Sequence, residues 1–173
     1  MQVFECVRTR RAVREYKAKP VPDDVILRIV EAGRLAPSSK NSQPWHYIIV
    51  KDRANLVKLS TLTPTGSHIA HAAMAIAVVT DPAYKLHAVD GGRAVQNMVL
   101  VAWEDGVGSC WVSNFSEEAK DLLKIPRHLN LLTIVSFGYP VESTTRRKKI
   151  RKQLTEVASL EAYGTPIADI MAS

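Results

Sequence analysis

The sequence predicts a three-layer α+β domain, and three observations point to it. Read in order, the apolar periodicities give helix, helix, strand, helix, strand, long helix, strand, helix, strand, helix. The run Met74–Thr80 is apolar without alternation, so its strand is covered on both faces. Strict βαβ alternation is missing, and neither a G-x-G-x-x-G nor a Walker sequence is present, which argues against a Rossmann fold. With 173 residues, 46% hydrophobic and 23% charged, the chain has the size and composition of one domain, residues 1–173.

Each element has a local reason. Residues 1–11 read as a short helix with Val3, Phe4 and Val7 at helical spacing. Pro20 and Pro22 break the following stretch, and Asp23 and Asp24 open a second helix, where acidic side chains suit the positive end of the dipole. Its apolar face is Val25, Ile26, Ile29, Val30, Gly33 and Leu35, and Pro37 ends it. His46–Val50 is a strand, with Trp45 expected to anchor it in the core. Residues 53–62 form a weaker helix, 63–67 a loop, and Asp81-Pro82 stops the strand 74–80.

Residues 88–105 form the longest helix, apolar nearly all the way round its middle. In so small a domain that predicts burial against a partner subunit, with Gln96 and Asn97 bonding between helices. Gly106-Val107-Gly108 ends it and 109–113 is a strand. Ser116 caps a short helix with Glu118 near a capping-box position, and 131–137 is a strand closed by Gly138-Tyr139-Pro140. Ile150, Leu154 and Val157 are spaced four and three apart, which predicts an amphipathic helix in the tail.

The net charge of +6 is local: the run Arg146–Lys152 carries all of the excess, and the remaining basic and acidic residues balance. Nucleic-acid binding favours a distributed basic stripe with interleaved aromatics, so a small basic nucleic-acid-binding module is the weaker reading of the run. The first residues have no basic n-region or apolar h-region, no apolar run approaches the ~20 residues of a span, and Cys6 and Cys110 form no CxxC pair. These features predict a cytoplasmic protein with no membrane segment and no redox pair.

Two segments carry the chemistry. Arg8-Thr9-Arg10-Arg11-Ala12-Val13-Arg14-Glu15-Tyr16 puts four arginines in seven positions, more than capping a helix end needs. Forked, permanently charged donors at that density suit a phosphate. Ala36 to Trp45, with Pro37, Ser38, Ser39, Lys40, Asn41, Ser42, Gln43 and Pro44 between, is a polar loop between helix and strand, rich in donors and acceptors for a flat polar ligand. Together they suggest an anionic cofactor with a heterocyclic head. His68 and His71 are three apart, but no Cys, Asp or Glu nearby completes a metal set, and no GxSxG, HExxH or Ser-His-Asp pattern is visible. A missing acid–base set is expected where a cofactor performs the reaction.

The succession RxRRxxRxY, PSSxNSQPW, GxGSCW and a strand ending Gly-Tyr-Pro with basic residues beyond it resembles the FMN-dependent nitroreductase family, among its short members, from about Arg8 to Gly164. The resemblance implies a central mixed, mostly antiparallel sheet flanked by helices, in an intertwined homodimer with FMN at each subunit junction. It assigns the phosphate and ribityl chain to Arg10, Arg11, Ala12 and Arg14. It assigns Pro37, Ser38, Ser39 and Asn41 to the flavin of the other subunit, and Trp111, Val112, Ser113 and Asn114 to the edge of the isoalloxazine. Arg147 and Lys148, give or take a position or two, close on the phosphate. No catalytic side chain is implied: NAD(P)H, the transient donor, passes hydride to flavin N5, and a nitroaromatic, quinone or similar acceptor takes it in a ping-pong cycle. Relatives of this architecture also dehydrogenate, dehalogenate or break down flavin. Ala12 stands where the family has serine and Asn114 where glycine is frequent, and residues 63–68 give no match to the family's middle flavin contacts.

Overall fold

Strand β2 (Met74–Thr80) has every residue buried and lies inside a four-stranded sheet. The order is β1 (Trp45–Val50), β2, β4 (Asn130–Gly138), β3 (Gly108–Val112), and every strand pair is antiparallel. The sheet is therefore antiparallel rather than mixed; among the described residues the one parallel pairing is an isolated bridge between Ala12 and Ser109, outside strand pairing. The computed structural model describes residues 2–142 and 149–171. Around the sheet lie α1 (Val3–Thr9), α2 (Asp23–Arg34), α3 (Arg53–Thr61), α4 (His87–Glu104), α5 (Glu117–Leu122) and a short α6 (Ala168–Met171).

The alternation of a strand sorts the core into two layers. Met74, Ile76 and Val78 face Ile26 and Ile29 of α2 and Val95, Met98, Val99 and Ala102 of α4. Ala75, Ala77 and Val79 face Leu56 and Leu59 of α3, Ile69, and Ala119 of α5. Burying each of these larger aliphatic side chains contributes about 1.5–3 kcal/mol, so the two layers dominate the stability. A register shift between Val78 and Val79 leaves Leu132 as an extra residue on β4, and its Cδ2 lies where a Cβ on Gly91 would reach 2.4 Å. Gly91 lets α4 lie this close to the sheet.

Several expectations change in the folded chain. The first helix stops at Thr9, because Arg10 turns to an extended ψ of 146° and Val13 enters the core beside β3. Within one chain α4 is buried on one face, and Gln96, Asn97, Leu100 and Val101 stay half-buried, which leaves the expected partner-subunit burial untouched. Leu35 is 63% exposed and Trp45 is half-buried rather than a core anchor. Ser116 holds the N-cap position of α5 but makes no side-chain cap bond, and its hydroxyl is buried without a partner. The tail forms no amphipathic helix: Leu154–Glu156 is a single 3-10 turn, and Ile150, Leu154 and Val157 are exposed. A short helix is marginal without an apolar surface to pack on, and one copy of the chain supplies none there. Among the described residues no helix is long and apolar enough to cross a membrane.

Candidate functional site

The arginine segment is held in place by its apolar and aromatic members. Val13 is fully buried and its N–H donates to the Ser109 carbonyl at 2.9 Å. The Tyr16 hydroxyl lies 2.6 Å from the Val13 carbonyl and 2.7 Å from Ser136 Oγ, and Lys17 N donates to the Tyr139 carbonyl. A Cβ on Gly108 would come within 2.5 Å of Val13 Cγ2, so glycine there admits the close approach. With Val13 inward, Ala12 and Arg14 on either side of it are exposed. At the other end of the segment, Trp103 Nε1 donates to Thr9 Oγ1 at 2.9 Å and fastens the end of α1 to α4.

Positive charge gathers at this segment. Lys149 Nζ donates to the Val7 carbonyl at 2.8 Å, at the end of α1 where cations suit the dipole. Partial burial, then Arg151, Arg10 and Arg11, push the lysine below its ordinary pKa, while burial and then Arg151 do the same to Arg10. Cations gathered this closely, with Arg10 and Lys149 lowered in part by their neighbours, have the chemistry that suits an anion such as a phosphate monoester. Arg147 and Lys148 lie outside the described residues; among the described members of the basic run, Lys149 and Arg151, one and three positions beyond Lys148, reach this cluster. The basic run signalled them, but its spacing did not fix the register.

A further arm leads from Arg14 to His68 and Cys110. His68 sits in a 3-10 turn (Ser67–His71) after a tight bend at Gly66, where a Cβ would meet Thr63 Cγ2 at 2.2 Å. It is buried, bonded to the backbone of Thr65, and its Nε2 has no partner. Burial and then Arg14 hold its pKa below the ordinary value, so it is neutral near pH 7. His71 is exposed and does not share that face. Burial pushes the Cys110 thiol up, the wrong direction for a thiolate nucleophile. Thr65 carried no motif, His68 only its spacing from His71, and Cys110 only its place in GxGSCW; the influence of Arg14 is what links His68 and Cys110.

Trp111 of β3 is 39% exposed, and Ser113 and Asn114 just beyond the strand are exposed. Val112 turns its side chain into the core, its carbonyl accepts from Thr133 Oγ1 at 2.8 Å, and it pairs with Ile134 of β4.

The polar loop is built quite differently. Lys40, Asn41 and Gln43 have φ of 53°, 54° and 46°, three non-glycine residues in the left-handed region. Such backbone costs of order 1 kcal/mol per residue and persists where its surroundings impose it. Ser38 Oγ accepts from Gln43 N at 2.9 Å, and the fully buried Asp90 accepts from Ser39 N at 3.0 Å. Pro37 and Asn41 are exposed, Ser38 and Ser39 half-buried.

One chain does not bring the two segments together. The loop is tied to α4 at Asp90 and leads into edge strand β1, while the arginine segment is tied to α4 at Trp103 and runs beside β3 at the opposite edge. Thirteen residues of helix separate those ties, about 20 Å. Between them α1, α2 and α4 leave an apolar groove of about 300 Å³ lined by Val3, Cys6, Ala32, Leu35, Leu100 and Val101. Asn97 does bond between helices, donating to the Ala32 carbonyl at 3.2 Å.

A nitroreductase family model matches residues 7–65 and 62–139, and the chain belongs to that family. A protein of Archaeoglobus fulgidus provisionally named an NADH dehydrogenase/NAD(P)H nitroreductase is 36% identical over 149 residues, 79% of this chain and 86% of its own. Among solved structures, an FMN-dependent nitroreductase from Clostridium difficile R20291 has a TM-score of 0.84 at 27% identity, covering 92% of this chain and 99% of that one. A nitroreductase with bound FMN from Bacteroides fragilis NCTC 9343 has a TM-score of 0.80 at 25% identity, covering 93% of this chain and all of the other.

Proposed function

We propose that this protein is a cytoplasmic, homodimeric NAD(P)H-dependent oxidoreductase that holds FMN at each of two subunit junctions and reduces nitroaromatics, quinones or similar small acceptors. The observation that carries the reading is the separation of the two polar segments at opposite ends of α4, with an exposed apolar groove between them. A second copy laid across that groove would join the loop of one subunit to the arginines of the other.

The residues fit the cofactor. Arg10, Arg11 and Arg14 with the backbone at Ala12 would hold the phosphate and ribityl chain. Lys149 and Arg151 would close over the phosphate, with Arg147 and Lys148 from the same run. Pro37, Ser38, Ser39 and Asn41 of the second subunit, and Trp111, Val112, Ser113 and Asn114 of the first, would border the ring. FMN supplies two-electron hydride chemistry when bound, which removes the need for an obligate acid or base among the side chains. The arginines would neutralise the phosphate charge, and backbone N–H groups near the ring would stabilise negative charge there. Trp111 limits water at the open face where donor and acceptor would take turns.

The test is direct. Purified protein should carry a visible flavin spectrum, and heat should release FMN identified by mass. It should oxidise NADH or NADPH in the presence of a nitroaromatic or quinone. A flavoprotein that oxidises neither nucleotide with any such acceptor would redirect the reading to the dehydrogenating, dehalogenating or flavin-degrading chemistry of related folds. A colourless protein with steeply salt-dependent binding to nucleic acid would replace it altogether.

A further inference from the structure

Beside the polar loop lie two neighbouring hollows that the reading above does not use. One, of about 430 Å³, is lined by Ser39, Lys40 and Ser42 of the loop and by Tyr84, Lys85 and Leu86 of the turn before α4. The other, of about 300 Å³, runs past Gln43 and Trp45, and Ser42 and Tyr84 line both. Three sources of positive potential meet in the first. Lys40 and Lys85 are exposed, and neither has an ion-pair partner among the described residues. Leu86 holds the N-cap of the 18-residue α4 and makes no side-chain cap bond, so the positive end of that helix is left uncapped. Nearby acids are already engaged. Asp90 also lines the first hollow, but its two oxygens accept from Ser39 N and Arg93 Nη1. Asp81, in the second, accepts from Ala83 N. Tyr84 adds an exposed aromatic ring common to both hollows.

We infer that the first hollow binds the 2′-phosphate of a nicotinamide dinucleotide and makes NADPH, rather than NADH, the preferred electron donor. The inference rests on the NAD(P)H and FMN reading above and deepens it by naming the donor. Ser39 of this hollow belongs to the loop assigned above to the ring of the other subunit's flavin. A donor with its nicotinamide on that ring extends its adenosine half along the hollows beside the loop. The face of Tyr84 suits an adenine, because aromatic stacking accepts any base. A phosphate monoester carries nearly two negative charges at neutral pH, and lysine ammonium groups are point charges suited to it. NADH has a hydroxyl in that place and gains little from the two lysines. Lys40 and Lys85 therefore act on the choice of donor and not on the transfer of hydride.

The experiment is steady-state turnover of the FMN-loaded protein with a quinone as acceptor, comparing kcat/KM for NADPH and NADH. Wild type should favour NADPH about tenfold or more at low salt. The preference should shrink as KCl is raised, because both lysines are exposed. Lys40→Gln and Lys85→Gln should each lower the ratio roughly three- to tenfold, through KM for NADPH rather than kcat. The double variant should bring the ratio close to one, and Lys85→Arg, which keeps the charge, should retain the preference. FMN content measured in every variant separates loss of cofactor from loss of preference. A wild-type ratio at or below one overturns the inference while the flavin reading stands, and so does a preference that survives in the double variant. Wild type that oxidises neither nucleotide overturns both.

Discussion

The backbone N–H of Ser39 donates to Oδ2 of Asp90 at 3.0 Å, tying a strained surface loop to the first turn of α4. The other oxygen of this fully buried carboxylate accepts from Arg93 Nη1 at 2.9 Å. A buried charge so paired is costly to disrupt on one side only. Asp90→Ala is expected to cost about 1–3 kcal/mol of stability and to weaken FMN binding about tenfold, through a loop that serves the second subunit. Asp90→Asn, which keeps one acceptor, should fall between. FMN titration by fluorescence quenching measures this, and unchanged affinity in Asp90→Ala would place the loop outside the site.

Burial and then Arg151 lower the basicity of Arg10, and burial, then Arg151, Arg10 and Arg11, lower that of Lys149. Inorganic phosphate should therefore raise the melting temperature of the FMN-free protein, by an amount that grows with the logarithm of concentration. Arg10→Ala should remove most of that shift. It should also weaken FMN binding by roughly 10- to 100-fold, the loss of one charged hydrogen bond of about 1.5–3 kcal/mol, while leaving riboflavin binding nearly unchanged. Equal losses for FMN and riboflavin would contradict the phosphate assignment.

His68 gives the FMN-free protein a pH dependence whose sign is fixed. Its folded-state pKa lies below the unfolded value near 6.5, so the unfolded chain binds the proton more readily. Stability is at its full value above about pH 6.5 and falls as pH drops from there through the lower folded-state pKa. Urea melts at steps between about pH 7.5 and 5 should show this loss, and His68→Gln should flatten that part of the curve. A curve identical in wild type and variant would remove the histidine from the account.

Gly108 sits under Val13, where an added Cβ would come within 2.5 Å of Cγ2 and 2.8 Å of Cβ. A β-branched neighbour close to its own backbone has little room to give. Gly108→Ala is expected to destabilise by about 1–3 kcal/mol and to loosen the arginine segment, so that FMN affinity falls together with Tm. A melting curve superposable on wild type would mean that the segment shifts without cost.

Leu100 lines the groove between α1, α2 and α4 and is half-buried in a single chain. Leu100→Glu should leave the fold intact and give a monomer in sedimentation. FMN binding should be lost with the dimer, although every arginine remains. A monomer that retains FMN would refute the shared site.

Local chemistry alone determined a good deal here. The unbroken apolar run 74–80 required a strand covered on both faces, and α2 and α4 stand on it opposite α3 and α5 as that run demands. The arginine spacing and the polar loop marked the two halves of the proposed site, because charge density and hydrogen-bonding capacity are properties of residue type. Tertiary structure decided what depends on distance and company. The tail's apolar spacing was compatible with a helix, but a helix needs a surface to lie on, and the single chain offers Ile150 and Leu154 none. His68 became visible only when folding buried it beside Arg14 with one nitrogen unanswered, and Lys149 only when its chain returned to the end of α1. Residues far apart in sequence acquire shifted proton affinities and unmet hydrogen bonds from their neighbours in space, and linear order does not encode those neighbours directly.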